Sequence, residues 1–88
     1  MQTVWKYILP IQDDVEVTLP QNAKILCVKE QKGDLCLWAL VDPDEKETEP
    51  INLRIAGTGH PIIEDNLVYI DTVLMYDGNF VIHIFKIV

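Results

Sequence analysis

The sequence contains no serine, a single arginine and only two cysteines among its 88 residues. The absence of serine excludes serine hydrolase and serine transferase chemistry. Cys27 and Cys36 are too few for a disulfide framework, and they lack the C-x₂-C spacing of a zinc knuckle. Because both lie in apolar segments, we interpret them as core residues rather than as a redox pair. We expect no bound metal and no cofactor.

Basic residues are scarce as well. Seven Lys and Arg stand against fourteen Asp and Glu, which gives a net charge of -7. This balance opposes direct binding to nucleic acid and to anionic membranes, whereas a basic partner protein is easier to accommodate. No apolar run approaches the roughly 20 residues of a membrane helix, and Met1–Trp5 lacks the features of a signal peptide. We therefore expect a cytoplasmic protein.

The chain is 49% hydrophobic, which is enough apolar material for one folded domain over residues 1–88. Val15–Leu19 and Ile51–Ile55 alternate apolar and polar residues, as strands with one wet face do. Leu35–Val41 is apolar throughout, which predicts a central strand covered on both faces. Four further runs rich in β-branched and aromatic residues also predict strands. These runs are Thr3–Leu9, Ala23–Gln31, Leu67–Tyr76 and Phe80–Ile87.

The predicted fold class is therefore all-β, with about seven short, mainly antiparallel strands in a small sandwich or barrel. The five prolines fall between the predicted strands, where a missing N–H group costs no ladder hydrogen bond. At most one short helical turn is expected, at Ile62–Asn66.

The Asp77-Gly78 pair predicts a tight turn between the last two strands. A two-residue loop there predicts three cross-strand pairs, namely Thr72 with His83, Leu74 with Val81, and Ile70 with Phe85. We interpret the face that carries these pairs as the core.

The opposite face of this hairpin is also too apolar to remain in water. A second sheet or another copy of the chain must cover it, and we expect both in part. The residues that we assign to an interface in a homo-oligomer are Tyr69, Val73, Met75, Phe80, Ile82 and Ile84.

The segment from Gly57 to Pro61 holds the densest cluster of special residues. Successive N–H groups around two glycines form a concave nest for an anion, and Arg54 adds a planar donor fork. The competing and more frequent interpretation is a simple turn, because the third glycine, helix and lysine of phosphate loops are missing. The candidate ligand-binding residues are Arg54, Gly57, Thr58, Gly59 and His60.

Two alternative functions involve His60 and the acidic residues. His60 with a nearby carboxylate, such as Glu64 or Asp65, would make a small enzyme that uses acid–base chemistry. The acidic loop Asp42–Pro50 holds five carboxylates that either are simply solvated or attract a basic protein surface. We interpret His83 as a core histidine that donates to a nearby hydroxyl.

Five segments, in their order along the chain, carry a family resemblance. They are Thr3–Tyr7, Ala23–Leu26, Cys36–Pro43, Gly57–Ile62 and His83–Phe85. Over nearly its whole length the chain resembles a family of small proteins of unknown function found in bacteriophage and bacterial genomes. The resemblance implies a cytoplasmic protein of phage or prophage origin and transfers no catalytic or binding residue. The chain departs from that family in a longer C-terminal strand.

Together these observations favour a non-enzymatic, phage-type accessory protein that binds a host protein or a small anionic molecule and assembles as a homo-oligomer. The small enzyme and a minor virion component, in which the sheet face is a subunit interface, are the alternatives.

Overall fold

The computed structural model describes residues 1–88 and contains seven β-strands and no helix. The strands are β1 (Thr3–Leu9), β2 (Asp14–Pro20), β3 (Lys24–Gln31), β4 (Asp34–Val41), β5 (Thr48–Gly57), β6 (Leu67–Met75) and β7 (Phe80–Ile87). All paired strands are antiparallel, and they form two sheets in the orders β1-β4-β3 and β2-β5-β7-β6. The prediction of a small all-β sandwich is confirmed, and Ile62–Asn66 is irregular rather than helical.

Strand β4 occupies the centre of the three-stranded sheet, as its continuous apolar run predicts. Leu35, Leu37 and Ala39 face the second sheet and are almost completely buried. Cys36 lies on the other face and is also buried, with Trp38 half-buried beside it. Both faces of this strand are therefore covered, which explains why it carries no alternating polar residues.

The core fills the space between the two sheets and consists entirely of apolar side chains. Every second residue of each central strand points into it, because side chains alternate across a sheet. The buried core residues are Leu9, Val15, Val17, Leu19, Val28, Leu35, Leu37, Ala39, Val41, Ile51, Leu53, Ile55, Val73, Met75, Ile82 and Ile84.

The two sheets are joined along one side, where β3 and β6 run next to each other. The Asp71 carboxylate accepts hydrogen bonds from the backbone N–H of Val28 at 3.3 Å and from Lys29 Nζ at 3.1 Å. Val28 is completely buried, so Asp71 accepts a hydrogen bond from a backbone N–H group that solvent cannot reach. This hydrogen bond and salt bridge raise the pKa of Lys29 above its usual value. We call these contacts the Asp71 clasp.

The predicted hairpin register is confirmed at the turn end, where Thr72 pairs with His83 and Leu74 with Val81. The predicted pairing of Ile70 with Phe85 is wrong, because β6 bulges at Ile70 and Tyr69 takes its place opposite Phe85. A bulge inserts one extra residue and reverses the side-chain alternation beyond it.

The prediction of which hairpin face forms the core is also wrong. Leu74 is 61% exposed, whereas Val73, Met75, Ile82 and Ile84 are at most 3% exposed. The three-stranded sheet of the same chain covers these four residues, so they are not free to form the predicted interface with another copy. Of the other residues assigned to that interface, Phe80 packs partly against the core, and Tyr69 is exposed on the outer face.

Two neighbouring substitutions on β6 test this arrangement. Met75→Ala should destabilise the fold by about 2–5 kcal/mol, because it opens a cavity in the core. Leu74→Ala should change the stability by no more than about 0.5 kcal/mol, because its side chain is exposed. Chemical denaturation of both variants measures the difference, and a larger loss for Leu74→Ala would restore the face assignment made from the sequence.

The Asp71 clasp makes a second prediction. Asp71→Ala leaves the buried N–H of Val28 without an acceptor and should cost about 1–3 kcal/mol. Lys29→Met is the matched control, because it removes the exposed ammonium group, keeps most of the apolar side chain and should cost less than about 1 kcal/mol. Equal losses in urea denaturation would assign the stabilisation to the salt bridge rather than to the backbone donor.

Candidate functional site

The predicted ligand loop begins where β5 ends, at Gly57. The imidazole ring of His60 folds back over Gly57, and a Cβ atom at residue 57 would lie only 2.9 Å from that ring. Gly59 has a φ of 86°, which favours glycine. The N–H of His60 donates to the carbonyl of Gly57 at 3.0 Å, and the N–H of Thr58 donates to Val81 at 3.4 Å. Two donors that an anion nest would need are therefore already engaged within the chain.

The Arg54 side chain forms its contacts with residues of the chain itself. Its Nε donates to Glu64 Oε1 at 3.0 Å, its Nη2 forms a short contact with the other oxygen of Glu64, and its Nη1 lies 3.4 Å from the Asp14 carboxylate. The side chain is only 13% exposed. Two carboxylates of the chain neutralise the guanidinium, which disfavours the predicted role of Arg54 as a donor to an anion.

The Arg54–Glu64 ion pair also affects the alternative in which His60 and Glu64 act together in catalysis. Its hydrogen bonds lower the pKa of Glu64 and raise the pKa of Arg54. Glu64 is thus a bound, ionised carboxylate that faces Arg54 instead of His60. The structure does not assemble the His60–Glu64 pair that the catalytic alternative invokes.

Thr58 belongs to a different arrangement, a chain of hydrogen bonds on the outer face of the second sheet. Thr58 Oγ1 lies 2.8 Å from His83 Nε2, and Thr72 Oγ1 lies 3.0 Å from His83 Nδ1. The Tyr69 hydroxyl continues the chain, 2.8 Å from Thr72. The predicted contact between His83 and Thr72 is confirmed, although it lies on the outer face and not in the core. Its function in the structure is to tie the loop after β5 to β7 and β6.

A cavity that the sequence did not indicate opens at the end of the sandwich where β2 ends and β3 begins. It measures about 370 Å³ and is lined mainly by apolar side chains. The lining residues are Leu19, Ala23, Lys24, Ile25, Leu26, Ile51, Val68, Tyr69, Ile70 and Lys86. We call it the end pocket.

Both strands that join the sheets bulge beside the end pocket. The register of β3 shifts at Leu26, and that of β6 shifts at Ile70. Bulges bend strands locally. Leu26 is 46% exposed even though it lines this apolar space.

Lys24 and Lys86 are the only charged residues that line the end pocket. Lys86 pairs with Leu53, a buried core residue, so its side chain starts from the inner face of the sheet. Neither lysine forms a salt bridge, although acidic residues outnumber basic ones two to one in the chain. The end pocket therefore combines an apolar wall with two lysines that form no salt bridge, Lys86 on the inner face of β7 and Lys24 opposite Leu40 on the outer face of β3.

The profile of a family described as a domain of unknown function, DUF7352, matches residues 1–87. The chain belongs to this family. Comparisons with curated proteins and with solved structures found no match. In this DUF7352 chain no three His, Cys, Asp or Glu side chains come together in a way that could hold a metal ion. The structure has no helix with the length and hydrophobicity that a membrane crossing requires.

The Arg54–Glu64 pair of the DUF7352 chain predicts a specific pH dependence. Because folding lowers the pKa of Glu64, the pair stabilises the fold above the usual carboxylate pKa, and this stabilisation is lost as the pH falls through the lowered pKa. Glu64→Gln should therefore reduce the melting temperature most near neutral pH and least in acid. The exposed neighbour variant Asp65→Asn is the control and should not show this trend. A Glu64→Gln effect that is constant with pH would contradict the assignment.

Proposed function

We propose that this DUF7352 chain acts by binding and that its ligand is a small amphipathic anion, with an apolar body and one carboxylate or phosphate group. The observation that carries this proposal is the end pocket with Lys24 and Lys86 at its wall. Its volume of about 370 Å³ falls within the range of small-molecule sites, which are mainly apolar with a few polar groups.

The charge distribution supports an anionic group on the ligand. A net charge of -7 repels anions from most of the surface, so a local pair of unpaired lysines is the place where an anion is least disfavoured. The apolar wall supplies a second contribution of about 25 cal/mol per Å² of ligand surface that is removed from water. A ligand therefore needs both an anionic group and an apolar body to make both kinds of contact.

A second candidate function uses the acidic segment Asp42–Pro50, which the structure divides into a loop and the first three residues of β5. The Asp42 carboxylate accepts a hydrogen bond from the N–H of Asp44, which folds the start of the loop on itself. Asp44, Glu47 and Glu49 form no salt bridge within the chain and present their charge to a partner. This arrangement favours a basic host protein as partner.

Phage or prophage origin and action in the host cytoplasm belong to the same proposal. Their support is the resemblance of the five sequence segments described above, which extends over nearly the whole chain. An accessory role by binding is compatible with either partner.

Octanoate, octyl phosphate and neutral octanol are suitable probes of the end pocket. The two anions should raise the melting temperature of the protein, and octanol should raise it less, because a ligand that binds only the folded state stabilises it. Lys86→Met should weaken octanoate binding by about tenfold, which corresponds to about 1.4 kcal/mol, while it leaves octanol binding unchanged.

Lys46→Met is the matched control, because Lys46 lies in the acidic loop, away from the end pocket. It should bind octanoate like the unsubstituted protein. If no probe raises the melting temperature, or if both lysine variants bind equally weakly, the end pocket is not an anion site. Capture of a basic host protein that is lost when Asp44, Glu47 and Glu49 are replaced by lysine would then favour the second candidate.

A further inference from the structure

Each sheet has an edge strand that pairs with only one other strand, and these two edge strands lie on the same side of the sandwich. β1 is the last strand of the three-stranded sheet, and β2 is the last strand of the four-stranded sheet. Because β3 and β6 meet at the Asp71 clasp, the free edges of β1 and β2 lie together on the opposite side. We call this the open side. Free edges expose unpaired N–H and C=O groups that can pair with another strand.

The core is not covered completely on the open side. Trp5 lies directly opposite Ala39, which is fully buried, so its side chain belongs to the inner face of the sheet. Trp5 is nevertheless 41% exposed and is not among the residues that pack against the core. A tryptophan that faces inward without a cover is the kind of side chain that anchors protein interfaces.

The two free edges are complementary in their side-chain patterns. On the outer face, β1 presents Lys6, whereas β2 presents Asp14 and Glu16. Within the single chain Lys6 Nζ donates to the neutral Gln31 side chain of β3 at 2.9 Å, and pairing with Glu16 of a second copy exchanges this exposed acceptor for a carboxylate. On the inner face, β1 presents Trp5 and β2 presents Val17. Charged residues of opposite sign and apolar residues thus occupy equivalent faces of two edges that lack a neighbour.

We propose that two copies of the chain join through their open sides, with β1 of each copy paired antiparallel to β2 of the other. A twofold axis parallel to the strands exchanges the upper and lower sheets and brings both pairs of edges together at once. Each three-stranded sheet then continues into the four-stranded sheet of the other copy, which gives two stacked seven-stranded sheets. Such a closed, isologous dimer leaves no free edge on this side.

One register satisfies both faces of this pairing. When Lys6 lies opposite Glu16 of the second copy, Trp5 lies opposite Val17 of that copy, because opposed residues share a face. Pairing β1 with β1 in a centred register would instead place two Lys6 side chains next to each other. The charge pattern therefore favours β2 as the partner of β1. The dimer does not depend on the proposed ligand.

Sedimentation equilibrium with charge substitutions tests the dimer. The unsubstituted protein should sediment as a dimer, and Lys6→Glu or Glu16→Lys should weaken association by about tenfold or more, because each places like charges side by side in two symmetric contacts. The double variant Lys6→Glu/Glu16→Lys should restore association. Both side chains are exposed, so the folded chain should tolerate the changes, and circular dichroism checks this.

Lys32→Glu is the matched control, since it makes the same change of charge in the turn between β3 and β4, away from the open side. It should leave association unchanged. A monomer at every concentration, an equal effect of Lys32→Glu, or a double variant that fails to associate would each overturn the proposal.

Discussion

The Asp71 carboxylate stabilises the side of the sandwich on which β3 and β6 lie next to each other. It binds a buried backbone N–H of β3 and thereby allows the edge of one sheet to lie against the edge of the other without an unsatisfied donor. The bulge at Ile70 precedes it and turns Asp71 toward β3. The other features follow from this contact, because the end pocket opens beyond it and the free edges of β1 and β2 lie on the side that has no equivalent carboxylate.

Most of the fold could be predicted from the sequence because strand formation depends on local patterns. Alternation in Val15–Leu19 and continuous hydrophobicity in Leu35–Val41 reflect how many faces each strand buries. The core face of the last hairpin could not be chosen in this way, because Leu74 and Met75 are both apolar and the decision depends on where the second sheet lies. The bulge at Ile70 has no glycine to mark it.

The candidate site was less predictable, because its contacts join residues that are distant in the chain. The sequence identified Arg54 as a donor, but only the fold brings Glu64 and Asp14 to it. Lys24 and Lys86 become neighbours of one cavity because β3 begins and β7 ends at the same end of the sandwich. No local spacing encodes such a meeting. Thr58 meets His83 for the same reason, since the topology places the loop after β5 beside β7.

The chain has few basic residues, so their positions in the fold are informative. Of the six lysines, only Lys29 has a carboxylate partner, Asp71. Lys32 and Lys46 lie in exposed connections between strands. Lys6 donates to the Gln31 side chain on the outer face of its sheet, and Lys24 and Lys86 line the end pocket. The open side runs along the strands and the end pocket lies across their ends, so the proposed dimer and the proposed ligand site use separate borders of the sandwich and do not compete for surface.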